Sequence, residues 1–371
     1  MTRLHSKKIL LAISSLWSGG AERVMSELAN TWATLGVHVG LLTLAVPQED
    51  HYPLLPTVER IALDEIGESR TLLQAFSNNV RRCWKVRRAV REFAPDAVLS
   101  FIDRNNVLIL AALMGTGIPV VVSEHIDPRH HDAGRAFSMA RRRLYPFARR
   151  LVVLTENVAT DWAYSIVSSK KVAVIPNAVR EVPESLLGVA RDPCFILAVG
   201  RLNRQKGFDV LLKAFARSNL PGRGARLVIL GEGTERASLE GLARSLDITQ
   251  AVSMPGAVRD PESWMARCAI FVMTSRYEGF PVALLEAMSM RCAVIAADCD
   301  SGPREMIRHG QNGLLVPVED EQAASQAMER LFDDAQMRGR LGEAAVEVCK
   351  QFSREKVMRQ WEDVILGAME P

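Results

Sequence analysis

Ala269-Ile270-Phe271-Val272-Met273-Thr274-Ser275-Arg276-Tyr277-Glu278-Gly279-Phe280-Pro281-Val282-Ala283-Leu284-Leu285-Glu286-Ala287-Met288 holds a strand, a loop and a helix in succession. The apolar run 269–273 has the length of a buried strand, a polar turn ends it, and a helical pattern starts at Pro281 with Glu286 in its second turn. Proline suits a first helical position because its missing N–H would have no intrahelical acceptor, and the amides that follow form an anion site. Glu278 and Glu286 therefore flank a place suited to a phosphate. By spacing alone they also fit an acid–base pair, or an ordinary strand-to-helix turn with two solvated glutamates.

The same alternation of short apolar runs and helical stretches fills the chain, the pattern of parallel sheets with helices on both faces. Strands are expected at 9–13, 37–44, 97–101, 120–123, 151–155 and 172–175, then at 195–199, 227–230, 252–254, 269–274, 293–296 and 314–316. Six and six predict an α/β protein of two doubly wound parallel-sheet domains facing a cleft, with ligands at the carboxyl ends of the strands. A length of 371 residues allows two cores of ordinary size. The expected domains are 1–180 and 190–353, joined by the aperiodic Arg180-Glu181-Val182-Pro183-Glu184-Ser185. The segment 354–371, with Val357, Trp361, Val364 and Ile365 at helical spacing, is expected to return to the first domain.

A charged fraction of 24% and a hydrophobic fraction of 48% exclude a disordered chain, and a net charge of +3 is too small to argue for nucleic acid. Basic residues are clustered instead: seven from Arg70 to Arg91 and six from Arg135 to Arg150, with no acid in either run. In the first run, Phe76, Val80, Cys83, Trp84, Val86, Val90 and Phe93 share one broad helical face, and Arg81, Arg82, Lys85 and Arg88 share the opposite one. That face suits solvent, anionic headgroups or a diphosphate-bearing acceptor. No exposed aromatics alternate with the cations and no recognition-helix signature accompanies them, so nucleic acid is not expected. Cys83, Cys194, Cys268, Cys292, Cys299 and Cys349 form no C-x-x-C pair and are expected as reduced thiols of a cytosolic protein. The apolar start 9–13 is cut short by Ser14-Ser15, unlike a signal peptide, and no run approaches the roughly 20 apolar residues of a membrane span.

Three further loops follow expected strands. Trp17-Ser18-Gly19-Gly20-Ala21-Glu22-Arg23-Val24-Met25 is a glycine turn into a helix, suited to a close-approaching phosphate, yet neither G-x-G-x-x-G nor a P-loop. Ser123-Glu124-His125 puts an imidazole at a strand's carboxyl end, the depth of a catalytic or a structural histidine. His130 and His131 lack a completing carboxylate and are expected as loop residues rather than metal ligands. Gly200-Arg201-Leu202-Asn203-Arg204-Gln205-Lys206-Gly207-Phe208-Asp209 carries two cations fit to clamp a diphosphate, Arg201 by paired bonds and Lys206 as a point charge.

Gly200-Arg201…Lys206-Gly207-Phe208-Asp209, Leu230-Gly231-Glu232-Gly233, Pro255-Gly256, Ser275…Glu278-Gly279-Phe280-Pro281…Glu286-Ala287 and Asn312-Gly313-Leu314-Leu315-Val316 together resemble family 4 retaining glycosyltransferases of the GT-B fold. The resemblance covers the second half in the family's order, and Gly19-Gly20-Ala21-Glu22 and Ser123-Glu124-His125 extend it to the first. Trp17 to Met25, Ser100-Phe101-Ile102 and Ser123-Glu124-His125 resemble bacterial enzymes that extend polyprenyl-diphosphate-linked oligosaccharides, N-acetylgalactosamine transferases among them.

The resemblance implies that Arg201 and Lys206 bind the donor diphosphate, helped by Gly19, Gly20 and the amides of Pro281-helix residues such as Leu284 and Leu285. It implies that Glu278, with Gly279 and Phe280, meets the donor sugar, that Glu286 holds the ribose, and that His125 stands beside the transferred sugar. Val258 and Glu232 would border the nucleobase. Retaining transfer from a nucleotide sugar, UDP favoured over GDP, to a lipid-linked or polysaccharide acceptor follows, with no cofactor and no metal. The sequence is expected to hold no Asp-x-Asp of the metal-dependent glycosyltransferase type, in agreement with a metal-free site. The first domain would bind the acceptor, and Arg81, Arg82, Lys85 and Arg88 would meet it or an anionic membrane surface on the cytoplasmic side. Two rivals share the architecture: a nucleotide-sugar 2-epimerase, which needs no acceptor, and a catalytically silent glycan-binding relative. A glycogen-phosphorylase-like reading would need a pyridoxal-phosphate lysine and a longer chain.

Overall fold

The computed structural model describes residues 2–17, 19–67, 71–130, 134–186 and 188–370, without the side chains of Glu49, Leu72 and Ala75. Among these residues the chain forms two compact units, 1–177 with 355–371, and 178–354.

The first unit is a parallel sheet in the order β3-β2-β1-β4-β5-β6-β7. Its strands are β1 (Lys8–Ile13), β2 (His38–Thr43), β3 (Glu59–Ala62), β4 (Ala97–Phe101), β5 (Val120–Ser123), β6 (Arg150–Val153) and β7 (Val172–Val174). Helices α1 (Gly20–Thr34), α2 (Leu72–Phe93), α3 (Asp103–Leu113) and α4 (Arg135–Leu144) connect them. Seven strands stand where six were expected. β3 escapes a hydrophobic scan because Glu-Arg-Ile-Ala is four residues long, none of them buried, and lies at the sheet edge beside β2.

The second unit has the order β10-β9-β8-β11-β12-β13, again parallel. Its strands are β8 (Asp192–Val199), β9 (Arg226–Leu230), β10 (Val252–Gly256), β11 (Cys268–Met273), β12 (Ala293–Ala297) and β13 (Leu314–Val316). Both sheets reverse their strand order at one point, between β1 and β4 and between β8 and β11. Loops leaving the carboxyl ends on the two sides of such a reversal diverge and leave a crevice.

Each unit has its own core. Leu10, Val98 and Val122 meet Val86, Val90 and Phe93 of α2 in the first. Ile196, Leu227 and Ile270 meet Leu211, Phe215 and Met328 in the second. The last helix, Arg354–Met369, belongs to the first unit, where Trp361 packs its ring 5.5 Å from that of Phe101. Thr2 donates to Glu362 at 2.5 Å, tying this helix to the chain's start.

Candidate active site

The reversal between β8 and β11 brings together the two loops with the most suggestive chemistry. After β8, Asn203 caps the short turn Arg204–Lys206 by accepting from the Lys206 amide, and Gly207 follows at φ 62°. A Cβ on Gly207 would lie 2.1 Å from the Thr274 carbonyl oxygen, so only glycine lets this loop approach the end of β11 so closely. Thr274 Oγ1 donates to the Gly207 carbonyl at 2.9 Å and Arg276 N donates to that of Gln205 at 2.8 Å. Arg276 then grips Asp209 with two bonds of 2.9 and 2.8 Å and reaches Glu319 at 2.7 Å. These bonds hold the Asp209 carboxyl below its ordinary range and push the Arg276 guanidinium above its own.

With the loops fastened, Lys206 Nζ donates to Glu278 Oε1 at 2.5 Å, and Ser275 Oγ donates to the same oxygen at 2.6 Å. Ser301 Oγ donates to the Glu278 carbonyl at 2.5 Å. Glu278 is buried. A buried carboxylate is tolerable only when paired and hydrogen-bonded, and both conditions hold. Arg201 is exposed on the same loop as Lys206. A second close approach, of Gly231 to Gly200, brings the β9 loop to the β8 loop: a Cβ at Gly231, φ 142°, would lie 1.9 Å from the Gly200 carbonyl oxygen.

The helix after the Glu278 loop is Val282–Ser289, one residue later than expected, with Pro281 as its cap at φ −78° and ψ 91° rather than its first residue. Leu284 and Leu285 lie in the core and their amides donate to the Pro281 carbonyl at 3.1 and 3.2 Å. Among the described residues this leaves Val282 and Ala283, not the two leucines, to offer free amides. Phe280 is also buried, its ring 5.3 Å from that of Phe352. Glu286 is buried with its Oε1 4.0 Å from Nε of Arg180, whose guanidinium also pairs with Glu262. The linker reading of Arg180 gave no hint of this contact. Glu232 is exposed and bound by Arg236, whose bonds lower its carboxyl's pKa; Val258 is half-buried and Gly279 lies beside Glu278. Asp298-Cys299-Asp300 after β12 has Asp-x-Asp spacing, which corrects the expectation that the sequence holds none. Arg304 binds Asp298 at 2.5 and 2.8 Å, and among the described residues no group of three or more His, Cys, Asp or Glu is placed to hold a metal.

In the first unit, Gly19 caps α1 and Gly20 begins it, with open space where a Gly20 Cβ would stand. His125 follows β5, its ring 4.0 Å from that of Phe101, with Nε2 3.2 Å from Ser123 Oγ. Desolvation pushes its pKa down to about 3, which keeps the imidazole neutral. Its neighbour Glu124 is buried, and burial raises its carboxyl to about 7 against the opposing hydrogen bond from Tyr145. Next to this pair the chain enters α3 through Ile102 at φ 72°, a region disfavoured for a β-branched residue. The turn is held by Ile102 N donating to the Ser123 carbonyl at 3.1 Å. His130 is exposed, and His131, like Ser18 and Arg70, lies outside the described residues.

Helix α2 departs most from expectation. Val86, Val90 and Phe93 are buried, but Leu73, Phe76, Val80 and Trp84 are 84, 72, 53 and 60% exposed, one stripe of spacing three and four. The basic side is spoken for. Glu65 accepts from Arg81 at 2.8 Å and meets Lys85 at 2.6 Å, Arg82 donates to the Glu65 and Gly67 carbonyls, and Arg88 pairs with Glu92. Burial would raise the Glu65 carboxyl, but the bonds from Lys85 and Arg81 outweigh it and lower it. Periodicity places residues on a face without saying what that face meets. A pocket of about 800 Å³ opens between α2, α3 and the start of α4, with Arg82, Arg104 and Arg135 beside apolar Ile66, Leu108 and Phe137.

Two doubly wound parallel sheets, with cations and buried carboxylates at the order reversal of the second, define an α/β protein of the GT-B fold. Two family descriptions then match in succession: Glycosyltransferase Family 4 over residues 18–182 and Glycosyl transferases group 1 over residues 186–348. The chain belongs to this family of glycosyltransferases. It is 28% identical, over 97% of its length and all of the relative's, to the N-acetylgalactosamine-N,N'-diacetylbacillosaminyl-diphospho-undecaprenol 4-alpha-N-acetylgalactosaminyltransferase of Campylobacter jejuni. It is 26% identical to the amylovoran biosynthesis glycosyltransferase AmsD of Erwinia amylovora, over 96% of this chain and 99% of that one. Among solved structures, sucrose-phosphate synthase from Thermosynechococcus elongatus matches with a TM-score of 0.83 at 18% identity, covering 96% of this chain and 98% of that one. Anabaena HepE in complex with UDP and glucose matches at 0.78 and 19%, with the same coverage. At these identities the structures speak for the fold.

Proposed function

We propose that the protein is a retaining glycosyltransferase that moves a hexose or N-acetylhexosamine from a UDP-sugar to a lipid-linked acceptor without a metal. The observation that carries this is the meeting of Lys206 and Glu278 at the β8/β11 reversal, with Arg201 on the same loop. The UDP of the Anabaena neighbour and the diphospho-undecaprenol of the Campylobacter relative support the donor and the acceptor class.

In this proposal Arg201, Lys206 and the Val282 and Ala283 amides face the donor diphosphate. As the C1–O bond to phosphate breaks, negative charge grows on the leaving oxygen, and fixed cations and amides aimed there lower the barrier. The leaving oxygen takes the acceptor hydroxyl's proton while the new C1–O bond forms on the same face. No protein nucleophile is needed, which leaves Glu278 to bind sugar hydroxyls and Glu286 the ribose. His125, held neutral, is fit to hydrogen-bond a hydroxyl without adding charge. The pocket with Arg82, Arg104 and Arg135 is assigned to the acceptor, its arginines for phosphate and its apolar wall for the first carbons of the lipid.

Among the described residues no helix is long and apolar enough to cross a membrane. We assign membrane contact, on the cytoplasmic face, to the exposed stripe Leu73, Phe76, Val80 and Trp84, an interfacial helix face. The deciding experiment incubates the protein with a panel of UDP- and GDP-sugars, with and without membrane lipid extract. Nucleoside diphosphate should accumulate only with UDP-sugar and extract together. Release without extract, accompanied by a 2-epimer, would establish the epimerase instead, and no consumption in any arm would establish a silent binder.

A further inference from the structure

Cys268 opens β11 and Cys292 immediately precedes β12, and the register pairing Ile270 with Ala293 brings these adjacent strand starts together. Their Sγ atoms are 3.5 Å apart and both residues are buried. Arg191 stands over the pair: Nη1 is 3.5 Å from Cys292 Sγ and donates to the Met265 and Cys268 carbonyls, while Nη2 donates to that of Met290. Each of these acceptors is a carbonyl or a sulfur, so none cancels the guanidinium charge. Burial raises both thiols. Cys268 stays well above its ordinary range, but for Cys292 the hydrogen bond with Cys268 and the charge and bond of Arg191 outweigh burial and bring it below. Both thiols donate to the Met265 carbonyl, at 3.4 Å from Cys268 and 3.1 Å from Cys292; a thiol lowered by a neighbouring cation, with a second thiol in reach, is the arrangement of a redox-active pair.

Neither thiol reaches the surface or lines a pocket, so peroxide must enter by local opening beside Arg191, where two pockets come near. A pocket of about 350 Å³ is lined by Arg191, Ala266 and Met290, and another of about 220 Å³ by Arg191, Ala269 and Ala293, the residues that follow the two cysteines. We propose that Cys268 and Cys292 form a peroxide-oxidisable dithiol site that closes reversibly to a disulfide, with Arg191 holding the reacting thiolate. Cys292 Sγ attacks one oxygen of hydrogen peroxide; the O–O bond breaks, the other oxygen leaves as hydroxide, and the proton given up by Cys292 makes it water. Cys268 Sγ then attacks the sulfenic sulfur; the S–O bond breaks and a second water leaves with the Cys268 proton. Two thiols lose two electrons and two protons, and one peroxide becomes two waters. Cys299 and Cys349 donate to the Ser301 and Leu285 carbonyls, and burial pushes both up to about 12.

The test treats the reduced full chain with graded hydrogen peroxide, denatures it, alkylates free thiols with a maleimide and maps non-reduced peptides by mass. Two thiols should disappear together, in a peptide linking Cys268 to Cys292, and return with dithiothreitol, while Cys83 and Cys194 still alkylate. Cys268→Ser should stop at a sulfenic acid on Cys292 that dimedone traps, and Arg191→Gln should slow closure at least about tenfold. Loss of Cys83 or Cys194 first, with Cys268 and Cys292 still alkylated after denaturation, overturns the proposal, as does a wild-type time course without the linked peptide. The readout is mass alone, so it stands apart from any failure to find a sugar donor.

Discussion

Lys206 and Glu278 lie 72 positions apart in the chain, on loops that follow different strands, yet their charged ends meet at 2.5 Å. Such a contact has two parts, the folding role of a buried pair and the chemical role of a cation at a phosphate, and substitutions separate them. Glu278→Gln keeps shape and hydrogen bonding, so it should leave the unfolding midpoint near wild type and reduce donor turnover about 100-fold. Lys206→Ala leaves a buried carboxylate with Ser275 and should lose both turnover and stability, the latter by about 1–3 kcal/mol. Arg201→Ala, at an exposed site, should lose turnover alone. Donor consumption and thermal unfolding measured on the same samples check this; near-wild-type turnover in Arg201→Ala and Lys206→Ala would sink the leaving-group assignment.

Arg276 and Asp209 fasten the same two loops, and their pair carries a pH signature. Asp209 is depressed by the Arg276 bonds, so its contribution is complete above its unfolded value of 3.8 and fades as pH falls below it. Because the Asp209 side chain is partly exposed, the contribution is discounted to about 1 kcal/mol. Urea unfolding at pH 7 and pH 3 should therefore show Arg276→Gln less stable than wild type at the first and closer to it at the second. An equal gap at both pH values would mean the pair does not fasten the loops.

Glu124 and His125 make opposing demands on the first unit. Glu124 is raised from 4.5 to about 7, so the folded state binds the extra proton and stability falls as pH rises through that window. His125 is lowered from 6.5 to about 3, so the unfolded state binds the extra proton and stability rises with pH between those values. Between 4.5 and 6.5 the two nearly cancel. Wild type should be flat there, Glu124→Gln should gain stability with rising pH, and His125→Phe should lose it, each by up to about 1.4 kcal/mol per unit. Urea midpoints taken every half unit are sufficient; parallel curves for all three proteins would show that neither group titrates as described.

The periodicities that define the buried strands are plain in the sequence, because strands covered on both faces are uninterrupted apolar runs such as 269–273. The edge strand β3 is not, since Glu59 and Arg60 need no burial at the rim of a sheet. Glycine turns and loop cations mark the Arg201–Lys206 and Glu278 loops, but the contacts that fix them come from residues with no signature. Ser275, Ser301 and Arg276 look like any polar loop residues until the strand order places β11 beside β8. Arg180 is likewise a linker residue in one dimension and a neighbour of Glu286 in three. The Cys268–Cys292 contact is hidden for the same reason, as it depends on the register of β11 against β12.

Helix α2 shows how a correct period can still misjudge a surface. Charge suggested that Arg81, Arg82, Lys85 and Arg88 would meet anionic lipid, but their guanidinium and ammonium groups are engaged with Glu65, Gly67 and Glu92. The exposed side chains free to enter an interface are Leu73, Phe76, Val80 and Trp84, with Arg88 stacked 5.8 Å over the Trp84 ring. Burying one large apolar side chain is worth about 1.5–3 kcal/mol, so Phe76→Ser with Trp84→Ser should weaken partition at least about tenfold. Both sites are exposed, so folding stability should change by less than about 0.5 kcal/mol per substitution. Arg81→Gln with Lys85→Gln should act the other way, lowering the unfolding midpoint by leaving Glu65 unpaired while vesicle binding persists. Flotation with phosphatidylcholine vesicles containing phosphatidylglycerol, run at low and high salt, separates the cases. Binding that survives the apolar double substitution and vanishes with salt would assign the membrane contact to charge after all.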